Sequence, residues 1–218
     1  MTLAKRLAPC LVLLGLLAAA AAPAGAEESP TSPVEAANFI QELGNRAVAL
    51  FASYTPAEAA KSEAEFKQIF HDGFDLDLIG RFVLGNSWRT ASPEQKEQYR
   101  TLFETWVVNT YTRRIGAYRG ETFKVIGQQP IAETDALVET EIDRAEGPPI
   151  KAGWRVRNMQ GHMKIIDVVV EGISMALTQR QEFASVIQRE GLDGLLHELQ
   201  IRVDNLKAAS SSNWGRAS

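Results

Sequence analysis

Asp135-Ala136-Leu137-Val138-Glu139-Thr140-Glu141-Ile142-Asp143-Arg144, then Gly147-Pro148-Pro149, then Ile150-Lys151-Ala152-Gly153-Trp154-Arg155-Val156-Arg157-Asn158: this stretch decides the fold. Both long runs alternate with a period of two, which places successive side chains on opposite faces of a strand. Ala136, Val138, Thr140 and Ile142 share one face, and Leu137, Glu139, Glu141 and Asp143 the other. In the next run Ile150, Ala152, Trp154 and Val156 alternate with Lys151, Arg155 and Arg157. An acidic outer face thus lies beside a basic one. Such cross-strand pairs contribute roughly 0.2–1 kcal/mol each, and they read as a solvated ladder rather than a site.

Residues 121–127 and 163–171 also read as strands, and Gln160-Gly161 supplies the last turn. Short turns favour an antiparallel meander, so a four-stranded antiparallel sheet is predicted. Ile165, Ile166, Val168, Val169 and Val170 leave the fourth strand almost no polar side, as in a strand covered on both faces or placed centrally.

Helices flank this block. Residues 34–53 carry Ala37, Ile40, Ala47, Val48 and Phe51 at helical spacing. Thr55-Pro56-Ala57-Glu58 has the form of a capping box, with Phe66, Ile69 and Phe70 on the apolar face of the helix behind it. Asp75 can cap a helix through Leu84, with Gly85 in its left-handed C-terminal position. Ser92-Pro93-Glu94-Gln95 is a second capping box, opening an amphipathic helix to about residue 118. After the sheet, residues 177–189 and 193–207 form two helices parted at Glu190-Gly191, and residues 208–218 are expected to be disordered. The fold class is α+β, with several helices packed on one face of the sheet.

The N-terminus fixes the compartment. Lys5 and Arg6, the apolar run over residues 11–22, and Ala24-Gly25-Ala26 make a secretory signal peptide, with cleavage expected after Ala26. That run is shorter than the roughly 20 residues a membrane span takes. Residues 27–33, with Pro30 and Pro33, read as a flexible leader to a single domain over 34–207. A soluble periplasmic protein is expected. Cleavage removes Cys10, the only cysteine, so neither a disulfide nor a cysteine metal site is expected. The net charge of −4 falls further when Lys5 and Arg6 leave. An acidic chain is a poor partner for nucleic acid, which needs a basic surface.

No phosphate loop, nucleophile elbow or zinc-binding helix motif is present, and His71, His162 and His197 lie in different elements. No catalytic residue, metal or cofactor is assigned. Asp167 stands out, flanked by apolar residues on both sides. A buried carboxylate needs hydrogen bonds or a cation. It reads as a structural acid holding a loop or an arginine such as Arg81, as an anchor for a ligand head group, or as the base of a cone-shaped α+β enzyme. Glu171 and Ser174 flank the Gly172 turn and suit capping of the next helix. Inward aromatics such as Phe74, Phe82, Trp106, Tyr111, Trp154 and Phe183 serve equally to fill a core or to line a cavity.

Three ordered blocks carry a family resemblance. Phe82-Val83-Leu84-Gly85-Asn86-Ser87-Trp88-Arg89-Thr90-Ala91-Ser92-Pro93-Glu94-Gln95 is the first. Asp167-Val168-Val169-Val170-Glu171-Gly172-Ile173-Ser174 is the second, with Ile166 at a position where tyrosine is common. The third runs from Gln181-Glu182-Phe183 to Gly191-Leu192-Asp193-Gly194-Leu195. Together they resemble the MlaC family, also called the toluene-tolerance auxiliary family. The resemblance implies a monomeric periplasmic carrier that shields the acyl chains of a phospholipid or other membrane lipid. Its pocket would lie between sheet and helices, with the head group outside. It also implies exchange with an inner-membrane ABC transporter complex and an outer-membrane lipoprotein complex. One branch is associated with hopanoid-producing bacteria, which would make the cargo a triterpenoid. Candidate lipid-binding residues are inward positions and positions near the matched blocks: Phe74, Ile79, Phe82, Val83, Trp106, Tyr111, Val138, Ile142, Trp154, Val156, Val169, Ile173 and Met175. Residues 55–91, with Gly73, Gly80 and Gly85, are the candidate flexible lip.

Overall fold

The computed structural model describes residues 30–112, 120–144 and 147–214, with side chains as far as residue 208. The signal peptide, the start of the leader and the expected helix end at residue 118 lie outside the described residues.

Helix α1 spans Pro33–Ala52, where Ser32 accepts from the Glu35 N–H and Pro33 takes the first helical position. Pro56–Glu58 forms a 3-10 turn, and α2 follows over Ala59–Gly73. The capping box expected at Thr55 does not form, because that side chain makes no cap bond and the 3-10 turn takes the helix start. Helix α3 covers Leu76–Leu84 and opens on Asp75, whose carboxylate accepts from the Leu78 N–H at 2.8 Å. Its end at Gly85 has φ of 61°, which favours glycine. A short helix, α4, occupies Ser87–Thr90. Helix α5 runs over Pro93–Thr112 behind a reciprocal box: Gln95 N–H donates to Ser92 Oγ, and Ser92 N–H to Gln95 Oε1.

The sheet is an antiparallel meander of five strands rather than four, in the order β1 to β5. They are β1 Thr122–Pro130, β2 Asp135–Asp143, β3 Ile150–Met159, β4 His162–Val170 and β5 Ile173–Ser174. The fifth arises because Glu171 (φ 49°) and Gly172 (φ 80°) turn the chain sharply back, so that Ser174 pairs with Val169. Helix α6 then covers Met175–Trp214, broken at Gly191 (φ 73°, ψ 177°), where the sequence places its break. It continues past Lys207, so residues 208–214 are helical rather than a disordered tail. The leader is not wholly loose either. Thr31 is buried, donates through its hydroxyl to the Thr134 carbonyl and accepts from the Asn158 N–H.

Three apolar clusters hold the layers together. In the first, Ala36 and Ile40 of α1 meet Ala136, Val138, Val156 and Ile165 on the inner face of the sheet. Gly44 permits that approach, since a Cβ there would lie 2.3 Å from the Phe123 ring. The second joins α3, α5 and α6 through Val83, Tyr99, Phe103, Phe183, Leu195 and Leu199. Tyr99 donates to the Gly80 carbonyl at 2.9 Å, and burial pushes its phenol well above its ordinary pKa. The third lies between α1, α2 and α5 at Leu50, Phe66, Phe70 and Val108. Gly73 and Gly80 are close-approach points against Leu43 and Phe103.

Candidate functional site

The sheet and the helical layer meet along a seam of aromatic rings. Phe66 and Phe70 are one turn apart on α2, and Phe74 follows at its C-terminal end. Their helical spacing sets them on one side of the helix. Phe70 stacks on Phe74 with centroids 4.1 Å apart and planes 6° apart. Phe74 meets Trp154 of β3 edge-on at 6.4 Å, and Phe123 of β1 meets Trp154 at 6.3 Å. At the other end Phe66 touches Phe51, and Phe70 lies against Tyr111 of α5. Phe74 therefore bridges the sheet cluster and the α1–α2–α5 cluster.

The junction of α2 and α3 is tied to β4 beside this seam. Asp75 N–H donates to the Ile165 carbonyl at 3.0 Å. Lys164 Nζ donates to the carbonyls of His71 and Asp72 at 2.9 and 2.8 Å. A cation there also suits the negative end of the helix. On the sheet side, the Trp154 indole donates to Thr140 Oγ1 at 2.8 Å, and Thr140 donates to the Ala152 carbonyl. The polar atoms at the sheet wall of the seam are thus satisfied, leaving apolar ring surface toward the helices.

Of the residues proposed from sequence, Phe74, Val138, Trp154 and Val156 come together on the inner face, and Tyr111 reaches the seam through Phe70. Ile142 is half-buried on β2, opposite Phe123 and Ile150. Ile79, Val83 and Trp106 sit in the separate cluster of α3, α5 and α6. Val169 is outward rather than inward. The register shifts at Ile166, so Val168 lies opposite Trp154 while Val169 shares the outer face with Leu137. Such bulges re-aim every side chain beyond them. Phe82, Tyr111 and Ile173 are substantially exposed, at 44, 41 and 58 %. Phe82 lies beneath the Arg180 guanidinium, and Ile173 rides on the short edge strand. Met175 is half-buried at the start of α6. Phe66, Phe70 and Phe123 were not singled out as lining residues, although the i, i+4 spacing of the first two marks an apolar face.

Among the described residues, the rings of the seam stand at the junction of the two layers, where the sequence places the pocket. Among the described residues, a groove between α3 and α5, rimmed by Arg81, Trp88 and Arg100, holds about 80 Å³, and an open depression at Trp106, Arg202, Asn205 and Leu206 about 270 Å³.

Asp167 is settled by its partners. One carboxylate oxygen accepts from the N–H groups of Val168 and Ala176 at 2.8 and 3.0 Å, and the other from Ser174 Oγ at 2.6 Å. Ser174 Oγ in turn accepts from the Leu177 N–H, capping α6. Asp167 holds a loop, and its arginine candidate Arg81 pairs with Asp77 instead. Replacing Asp167 by Ala is expected to cost about 1–3 kcal/mol of stability, measured by urea unfolding, and to leave any bound lipid in place. Loss of lipid at unchanged stability would overturn that assignment.

Among the described residues, no group of three or more His, Cys, Asp or Glu is placed to hold a metal, and no helix is long and apolar enough to cross a membrane. Helices laid over one antiparallel sheet, with an apolar seam between the layers, define an α+β protein organised around its greasy interior. The MlaC protein family model matches residues 45–201. The chain belongs to the MlaC family.

Named relatives agree. The intermembrane phospholipid transport system binding protein MlaC of Haemophilus influenzae is 24 % identical over 130 residues, 58 % of this chain and 61 % of that protein. The toluene tolerance protein ttg2D of Pseudomonas putida is 24 % identical over 120 residues, 55 % of this chain and 56 % of that one. The aligned stretch thus spans about three-fifths of the length of these relatives. The fold is shared with a phospholipid-binding protein from Ralstonia solanacearum whose structure contains a phospholipid. The TM-score is 0.69 at 22 % identity, covering 79 % of this chain and 98 % of that one.

Proposed function

We propose that this chain is a periplasmic phospholipid carrier that shelters acyl chains between its sheet and its helices. The observation that carries the reading is the seam from Phe70 through Phe74 to Trp154, an apolar junction between two layers in a member of the MlaC family. Each CH₂ hidden from water is worth about 0.8 kcal/mol, so two chains of roughly 16 carbons cross water only inside such a shelter. A carrier has to match the shelter of the membrane it takes lipid from, and rings without charge suit that task. The named relatives and the lipid-bound structure of shared fold support phospholipid as the cargo. Val138, Trp154 and Val156 form the wall on the sheet side, with Phe70 and Tyr111 on the helical side and the Phe74 ring across the junction between them. The same reading assigns an inner-membrane ABC transporter complex and an outer-membrane lipoprotein complex as partners, and no catalytic step.

The test is native mass spectrometry of protein purified from the periplasm, followed by extraction and identification of what it carries. A diacyl phospholipid at one per chain is expected. A copurifying triterpenoid would replace phospholipid as the cargo. A lipid-free mass under gentle conditions would defeat the carrier reading.

A further inference from the structure

We propose that Gln41 is a plug that closes the outer edge of β1, and that this edge would otherwise pair with a second copy of the chain. β1 is the first strand in the sheet order, so among the described residues one side of its backbone faces no strand. An open edge is a template for another chain, and proteins block it by several devices. Here Gln41 reaches over from α1. Its Oε1 accepts from the Val125 N–H at 3.1 Å, and its Nε2 lies 3.5 Å from the Phe123 carbonyl. Asn45 Oδ1 accepts from the same Nε2 at 2.9 Å and fixes the amide. The carboxamide supplies one donor and one acceptor, the two functions a neighbouring strand would bring to those atoms.

The atoms that Gln41 covers define who the partner would be. In an antiparallel pairing about a two-fold axis, Lys124 of one copy would face Lys124 of the other. Phe123 of each copy would then lie opposite Val125 of its mate. That register uses the same Phe123 carbonyl and Val125 N–H, so the window is self-complementary, as an isologous contact requires. The window is short. The strand bulges at Ile126, and Pro130 has no N–H to give. Ile126, 51 % exposed beside it, would add apolar area. A second obstacle is Lys124 itself, since like charges directly opposite are destabilising. Its ammonium is held by Asp143 at 2.8 Å on the strand's own side.

The test compares the native chain with Gln41→Ala, Lys124→Thr and the double variant by sedimentation from about 10 μM to about 1 mM. The native chain and Lys124→Thr should stay monomeric, because the plug is in place. The double variant should double in mass. Gln41→Met in place of Ala, which keeps the length and loses both polar groups, should give the same dimer. At dilutions where Gln41→Ala is monomeric, its Val125 amide should exchange about tenfold faster than in the native chain. A double variant that stays monomeric across the range, in both its Ala and Met forms, would overturn the proposal. So would dimerisation of Lys124→Thr equal to that of the double variant, or an unchanged exchange rate at Val125.

Discussion

Asp135→Asn is expected to lower the free energy of unfolding by about 3–5 kcal/mol, read from urea unfolding at pH 7. The Asp135 side chain is fully buried at the start of β2. It accepts from the Arg155 Nε at 2.7 Å and from the Arg157 Nε at 2.6 Å. Removing the charge leaves two guanidinium groups facing a neutral amide, which is the costly way to break a buried pair. Arg155 is 42 % exposed and can recover water, so the lower end of the range is expected. Burial acts to raise the Asp135 pKa, but the hydrogen bonds and charges of Arg157 and Arg155 outweigh it and hold the carboxyl below its ordinary value of 3.8. A depressed carboxylate stabilises the fold fully above its unfolded pKa and loses that contribution as pH falls through the folded one. The native chain should therefore lose stability below about pH 4, and the variant should show a flatter acid limb. A loss under about 1 kcal/mol would show a solvated pair instead.

Asp135 also shows where sequence reading stops. The alternation over 135–143 correctly sets Ala136, Val138 and Thr140 inward, because period two is enforced by every residue of a strand. The same alternation puts Asp135 on the outer face among solvated acids. It is buried because Arg155 and Arg157 close over it, and its turn lies against Thr31, more than 100 residues away in sequence. The caps at Asp75 and Ser92 and the break at Gly191 were legible for a related reason, since each needs only a few neighbouring residues. The face of Val169 was not legible, because one bulged residue at Ile166 reverses the alternation, and nothing in a run of valines and isoleucines marks which residue bulges. The seam was half legible. Phe74 and Trp154 each read as inward, but their meeting depends on how α2 lies on the sheet, which no local pattern records. Whether inward rings fill a core or line a hollow depends on three-dimensional spacing, which no run of residues records.

The place of Phe74 at the junction leads to the second large effect. Phe74→Ala is expected to destabilise the lipid-free protein by about 2–3 kcal/mol, somewhat below the 3–5 kcal/mol typical of fully buried phenylalanine, since Phe74 is only half-buried. The same variant is expected to bind a phospholipid bearing a fluorescent acyl chain about tenfold more tightly than the native chain. The reason is competition for space. Phe74 stacks on Phe70 and meets Trp154, so its ring occupies the junction that acyl chains would have to enter. Binding must first part those rings, and the population of the parted state scales the apparent affinity. Truncating the ring removes part of that closing energy, and a hydrocarbon chain can fill the gap, as apolar ligands fill engineered apolar cavities. Lipid should then restore to the variant much of the stability it lost, through preferential binding to the folded state. Thermal unfolding with and without lipid checks this directly. If Phe74→Ala binds the labelled lipid more weakly than the native chain, the ring is a wall that grips the chains. If binding does not change, the lipid enters elsewhere. Either result would reject Phe74 as the ring that closes the shelter.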